Sequence, residues 1–389
     1  MTHLLLAVIY LSFCSLGFPY SLLGSAWPTM YVQFGVPVSY MGVISTTISI
    51  FSVLAGLLNE RLTKKFNTWL VTTVSMTLTA IGFFGFSVSR SFWLLFALSI
   101  PYGFGVGGID ASLNNYAVQH FSSRYTTWMH CMWGLGASIG PAVMGYALTG
   151  GQGWQMGYRY ISLIQLALAA MLVFSLPLWK KNAAPAGGQK KSALSLRQVI
   201  AIPGAWRAML FCFSYCTLEQ TTSLWAATYL VQHCGATAEA AAGYASLFFI
   251  GLTAGRIASG FAAARFSDAQ MLRTGLAVVL CAVIALLLPL GRTAALASLV
   301  LLGLGCAPVY PSFMHATPGH FGREKAKAVV GVQLSCAYLG NAVMPTIFGL
   351  IVSRIGVTVF PLYLMAALAV MIVMHETLAR VQYTEKEGV

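Results

Sequence analysis

Apolar residues run in blocks of about 20 along nearly the whole chain, long enough to cross a hydrocarbon core at the helical rise of about 1.5 Å per residue. Twelve such blocks can be counted, at residues 4–26, 38–58, 68–88, 92–118, 127–149, 157–179, 205–232, 238–264, 269–290, 293–316, 326–352 and 356–378. The turns between them are short, so consecutive helices must run antiparallel. The one long polar break, Lys180 to Pro203, carries Pro185, Gly187, Gly188 and the pairs Lys180, Lys181 and Lys190, Lys191. That is the composition of a linker. The pattern predicts an all-α integral membrane protein of twelve transmembrane helices in two pseudo-symmetric six-helix bundles. The expected division is residues 1–179, a linker at 180–204, and residues 205–389.

The second half repeats the first. Gly103, Gly105, His120 and Phe121 recur as Gly303, Gly305, His320 and Phe321; Gly136, Pro141 and Gly145 recur as Gly340, Pro345 and Gly349. Gly56 followed by Arg61 has its echo in Gly260 followed by Arg265. Internal duplication of a membrane unit is the pattern of secondary transporters, whose two repeats rock against each other around a central site. Small residues of this kind let helices approach and slide in lipid.

Charged residues make up 8% of the chain and hydrophobic ones 58%, which excludes an ordinary soluble domain. The formal net charge of +13 does not point to nucleic acid. With a cytoplasmic N-terminus, all Lys and Arg residues except Arg90, Arg159, Arg256, Arg292 and Arg354 fall at cytoplasmic ends. The positive-inside bias therefore predicts a multi-pass protein of the cytoplasmic (plasma) membrane with both termini and the linker in the cytoplasm. Met1 to Trp27 has no charged leader and reads as the first helix, not as a signal peptide. Seven of the eight cysteines lie within apolar spans, and only Cys234 sits at a helix end, which argues against a disulfide framework or a metal cluster. No phosphate-binding glycine loop, no His-Glu-x-x-His pair and no defensible Ser-His-Asp triad is present, so neither ATP coupling nor an enzyme is expected, and no cofactor or metal is called for.

Of nine acidic residues, only Asp110 and Glu219 sit deep in apolar spans. An ionisable group there costs about 2.5 to 3.5 kcal/mol on insertion scales, so it normally faces the bundle interior and works. Burial disfavours the charged form, which makes both carboxyls candidate proton-coupling sites. Asn114 lies one turn beyond Asp110 on the same helix face, a polar stripe able to bind a hydroxylated ligand. His130 enters span five at a comparable depth, so a relay contact with Asp110 is expected, although a packing role is the commoner fate of a lone buried histidine. In span seven, Tyr215 and Ser223 flank Glu219 by one turn on either side. Trp225 points to another face and meets the same pocket only if the helix bends. Tyr310, Gln333 and Asn341 complete the candidate binding set. Spans one, two, four, five, seven, ten and eleven hold no Lys or Arg away from their ends, against an anion porter. Arg256 alone could face a solute, but it also suits the inner end of span eight.

The stretch Gly56-Leu57-Leu58-Asn59-Glu60-Arg61-Leu62-Thr63-Lys64-Lys65 resembles the loop motif between helices two and three of the major facilitator superfamily. Glu60 stands where Asp is usual there and Thr63 where Gly is usual. The second copy keeps Gly260 and Arg265 but has Ala264 in the acidic place. The resemblance implies a gating role for Gly56, Glu60, Arg61, Lys64, Lys65, Gly260 and Arg265. Within the superfamily, Tyr215, Glu219 and Trp225 with Ala307-Pro308-Val309-Tyr310-Pro311 look like the fucose, galactose and hexose permease branch. An acid in helix four of that branch is matched by Asp110, whereas the Asp or Asn common in its first helix is missing from Phe18 to Gly24.

That resemblance implies a secondary active transporter, a monomer in the lipid bilayer, that moves a small polar solute, a monosaccharide first of all. The expected coupling ion is H+, with symport the first expectation. Sodium is the alternative ion, since Asp110 with Asn114 offers oxygen ligands. Proton-coupled efflux of drugs or metabolites is the alternative function.

Overall fold

The computed structural model describes residues 2–121, 123–180 and 196–387, and the described residues are helical with no strand among them. Most of the expected linker, residues 181–195, lies outside the described residues. Span one is built of two pieces, Thr2–Ser15 and Gly17–Phe34. Spans two and three form one bent helix, Tyr40–Val88. Spans four, five and six are Phe92–His120, Ser123–Thr149 and Gly153–Phe174. In the second half, span seven is Ala205–Gln232, span eight Ala238–Tyr244 with Ser246–Ala262, and span nine Asp268–Leu287. Spans ten and eleven share the bent helix Gly291–Ile355, and span twelve is Phe360–Glu387. We call the face carrying the start of span one and the end of span twelve the terminal face, and the other the distal face.

Both long helices bend where the backbone leaves the right-handed region. Asn67 sits at φ 61° and accepts a 3.0 Å hydrogen bond from the Leu70 amide, which starts span three; Gly322 sits at φ 74° between spans ten and eleven. Asparagine and glycine are the residues that adopt this conformation at least cost.

Nine stretches among the described residues are long and apolar enough to cross a membrane, one of them the double-length Tyr40–Val88. Span seven is not among them, because Ser214, Thr217, Glu219, Gln220, Thr221, Thr222 and Ser223 interrupt its apolar run. It is tolerated as a helix partly because its hydroxyls bond back within it: Thr217 donates to the Phe213 carbonyl and Thr222 to the Leu218 carbonyl, each at 2.8 Å.

The duplicated glycines make duplicated contacts. A side chain at Gly103 would meet the Ile48 carbonyl of span two, and one at Gly303 would meet the Phe248 carbonyl of span eight. One at Gly105 would meet Ser75 and Thr79 of span three, and one at Gly305 would meet Gly275 and Val279 of span nine. Likewise Gly136 abuts Cys14 of span one, and Gly340 abuts Phe213 of span seven. The partners are themselves about 200 positions apart, so each half is assembled by the same helix crossings. With no hydrophobic drive between helices in lipid, such backbone approach supplies the packing.

These contacts predict a matched pair of outcomes. Gly303→Val should force span ten off span eight at a cost of about 1–3 kcal/mol, read as a lower thermal midpoint of the purified protein. Gly260→Val, where nothing lies within 4 Å of the added atom, should leave that midpoint unchanged.

Candidate functional site

The two halves meet on the distal side. Gly24 of span one lies against the backbone of Ser223 and Leu224, Gly42 of span two against Thr346, and Gly145 of span five against Gly243 of span eight. The Thr46 and Thr346 hydroxyls lie 2.6 Å apart, with the Ala342 carbonyl 2.6 Å from Thr46 and the Gly42 carbonyl 3.0 Å from Thr346, so their two protons are shared among three contacts. Nearer the distal surface, Gln232 donates to the Tyr31 hydroxyl at 3.2 Å. Towards the terminal face the described contacts between halves thin to spans five and eight, where Gly134 faces Thr253 and Trp133 meets Phe249 edge-on. Among the described residues the halves are therefore joined chiefly on the distal side. At its closed end the space between the halves narrows to a cleft of about 30 Å³ lined by Leu23, Ser45, Ile48, Val106, Gln220 and Leu224.

Beyond the lining of this cleft, polar side chains of both halves come within electrostatic reach of one another, Tyr215 among them buried. The Asn114 amide donates to the Asp110 carboxylate at 2.8 Å and to its carbonyl at 3.0 Å, so the stripe read from the sequence is a bonded pair. Across the gap, the charge of Asp110 reaches Tyr338 of span eleven, which is 46% exposed. In span seven, Tyr215 donates to the Cys306 carbonyl at 3.2 Å, lies beside Glu219 and stacks on Tyr310 at 5.2 Å. Asn341 is half-buried farther along span eleven.

Several expected placements differ. No hydrogen bond joins His130 to Asp110 among the described residues. His130 packs edge-on against Phe13 at 5.1 Å, and its carbonyl accepts a 3.2 Å hydrogen bond from Arg256. Trp225 has no exposed surface and donates to the Pro345 carbonyl at 3.2 Å, so it packs spans seven and eleven together and presents nothing to a solute. Gln333 is likewise sealed, accepting from Thr317 at 3.3 Å. In the helix-two motif, Glu60 pairs with Lys64 at 2.6 Å, Lys65 lies over the Phe66 ring, and Arg61 is exposed. Gly56 and Gly260 have open space around them, and Arg265 is exposed. The residue that fixes the motif to the bundle is Asn59, buried and accepting a 2.6 Å hydrogen bond from Ser112 of span four. From the sequence, Arg256 is marked only as able to face a solute, and Gln220 and Tyr338 are not marked as binding residues. An arginine inside an apolar span was the signal available for the first.

A larger cavity of about 540 Å³ lies among spans two, three and four, lined by groups such as Leu58, Leu62, Val74, Pro101 and Phe104. It has almost no polar lining and cannot orient a hydroxylated solute; the polar space between the halves is the candidate site.

The sequence pattern of the Major Facilitator Superfamily matches residues 9–345. No curated protein matches the chain in sequence. Among solved structures, a bacterial homolog to the human lysosomal transporter Spinster, in an inward-facing and occupied conformation, is similar with a TM-score of 0.75 at 13% identity, covering 98% of this chain and 97% of that one. The nucleoside transporter NupG gives a TM-score of 0.73 at 14% identity over 96% and 98% of the two chains. A D-xylose-proton symporter gives 0.75 at 11% identity over 95% and 96%. These likenesses are of fold.

The geometry of the seal yields an expectation for its strength. A buried hydrogen bond contributes about 0.5–1.5 kcal/mol net, up to roughly a tenfold shift in a two-state population. In a cysteine-free background carrying Ser223→Cys, Thr46→Val should raise the rate of labelling by a water-soluble maleimide by up to about that factor. An unchanged rate would mean that the distal seal does not depend on Thr46.

Proposed function

The chain belongs to the Major Facilitator Superfamily of transporters, and from that premise we propose that it takes up a small polar solute, a monosaccharide, by alternating access with proton symport. The observation that carries this reading is the carboxylate of Asp110, bonded to Asn114 within an apolar span of one half and within electrostatic reach of Tyr338 of the other. In the proposed cycle Asp110 takes up a proton when the space faces outward. The solute then binds among Asn114, Glu219, Tyr215, Tyr310 and Asn341. With Asp110 neutral, closure around the site costs less, since an uncompensated carboxylate resists enclosure in a dry space. The halves rock, the distal seal of Thr46, Thr346 and Gly42 forms, and solute and proton leave towards the terminal face.

The proposal places both termini and the linker in the cytoplasm, the chain as a monomer in the cytoplasmic membrane, and the two six-helix bundles at 1–179 and 205–389. The helix-two motif and its second copy, Gly56 to Lys65 and Gly260 to Arg265, would gate the terminal face, engaging the opposite half when that face closes. The sugar assignment is supported by the resemblance to the fucose, galactose and hexose permease branch. A D-xylose-proton symporter among the fold neighbours is a precedent for such a substrate on this scaffold.

Proteoliposomes loaded with a pH dye test the reading. A transported monosaccharide should acidify the lumen, and Asp110→Asn should abolish both acidification and accumulation while sparing solute exchange. Failure of every sugar to move protons, with drug resistance conferred by overexpression, would favour the efflux function instead.

A further inference from the structure

We infer that the solute carries a carboxylate, and that Arg256 is the residue that receives it; the inference rests on the solute-carrier reading above and narrows its substrate from a neutral sugar to a sugar acid. Arg256 lies in span eight, the only Lys or Arg set deep in an apolar span; Arg159, Arg207, Arg273 and Lys327 fall within five residues of the start of theirs. Its guanidinium is laid over the Trp133 ring of span five at 5.0 Å and held by one N–H to the His130 carbonyl at 3.2 Å. No carboxylate lies within 4 Å of it among the described residues. Helical side chains lean towards the helix N-terminus, which for span eight is the distal end, so this one points inward to mid-membrane and does not snorkel to the terminal surface. Accordingly its charge reaches the Tyr215 hydroxyl and Cys306, the same two groups that Glu219 reaches.

A guanidinium set over an aromatic face and pinned by a single bond keeps its planar fork of N–H donors in a restricted orientation. That arrangement matches the two oxygens of a carboxylate. The charge also sets the class of ligand. With the protons of the coupling carboxyls Asp110 and Glu219 in place, one cation in a space otherwise without Lys or Arg among the described residues balances one negative charge, as a carboxylate carries, and falls short of a phosphate dianion. Paired with Arg256 the anion adds no uncompensated charge to the closed site, the condition an enclosed ligand must meet. The hydroxyl-binding groups Asn114, Tyr310 and Asn341 then read the rest of a polyol or sugar ring. Because Trp133 and His130 belong to one half and Arg256 to the other, the ligand's carboxylate would also sit at a joint between the halves.

The test is direct binding to the purified full-length protein of matched pairs that differ only at C6: D-galactose against D-galacturonate, and D-glucose against D-glucuronate. The expected result is a preference for one uronate over its parent sugar of about tenfold or more, lost in Arg256→Gln and partly kept in Arg256→Lys. The preference is read first in the unaltered protein, so the test stands even if a variant fails to fold. Sugars that bind as well as their uronates, or a preference that survives Arg256→Gln, would overturn the inference. Proton-coupled uptake of a neutral sugar without any uronate preference would overturn it while leaving the carrier reading intact. Binding of neither member of either pair would overturn both.

Discussion

Everything in this molecule depends on helices being able to lie backbone against backbone. A bilayer supplies no hydrophobic force to press one span on another, so cohesion comes from surfaces that fit. Here the fit is set by glycine. Gly103 and Gly105 bring span four onto spans two and three, and Gly303 and Gly305 bring span ten onto spans eight and nine. The same device, used between the halves at Gly24, Gly42 and Gly145, closes the distal side. Crossings between halves are supplemented by a few exchangeable hydrogen bonds such as Thr46 to Ala342.

The polar site follows from that framework. Spans one and seven are the least regular or least apolar of the twelve, and they are the ones that face each other across the centre, Gly24 against Ser223 and Leu224. A span that faces a polar space needs no lipid-compatible surface all round, so span seven can hold Glu219, Gln220 and a run of hydroxyls. Charges are distributed sparingly and on different elements: Asp110 from one half, Glu219 and Arg256 from the other. Each is anchored or flanked by a local partner, Asn114, Tyr215 and Trp133 respectively.

Much of this was legible in the sequence. The apolar blocks marked the spans to within a few residues for most, and the echo at about 200 residues was the trace of real equivalent crossings. Asp110 and Asn114 were readable as a pair because four residues make one turn whatever the tertiary structure. What could not be read was anything depending on the rotation of one helix against another. His130 matched Asp110 in depth but not in facing, and met Phe13 and Arg256 instead. Trp225 and Gln333 have the chemistry of binding residues but are turned into the packing of span eleven against spans seven and ten. In the helix-two motif the conspicuous charges lie at the surface, while the inconspicuous Asn59 anchors it.

The most direct test of alternating access between two repeated halves is a pair of spin-label distances measured in lipid, one on each face. Labels at Leu62→Cys and Phe266→Cys report the terminal face, and labels at Arg90→Cys and Arg292→Cys the distal face; all four positions are exposed. On acidification with bound solute the two distances should change in opposite directions, the distal pair shortening as the terminal pair lengthens. Two distances that stay fixed, or that lengthen and shorten together, would contradict a rocking exchange of access between the two halves.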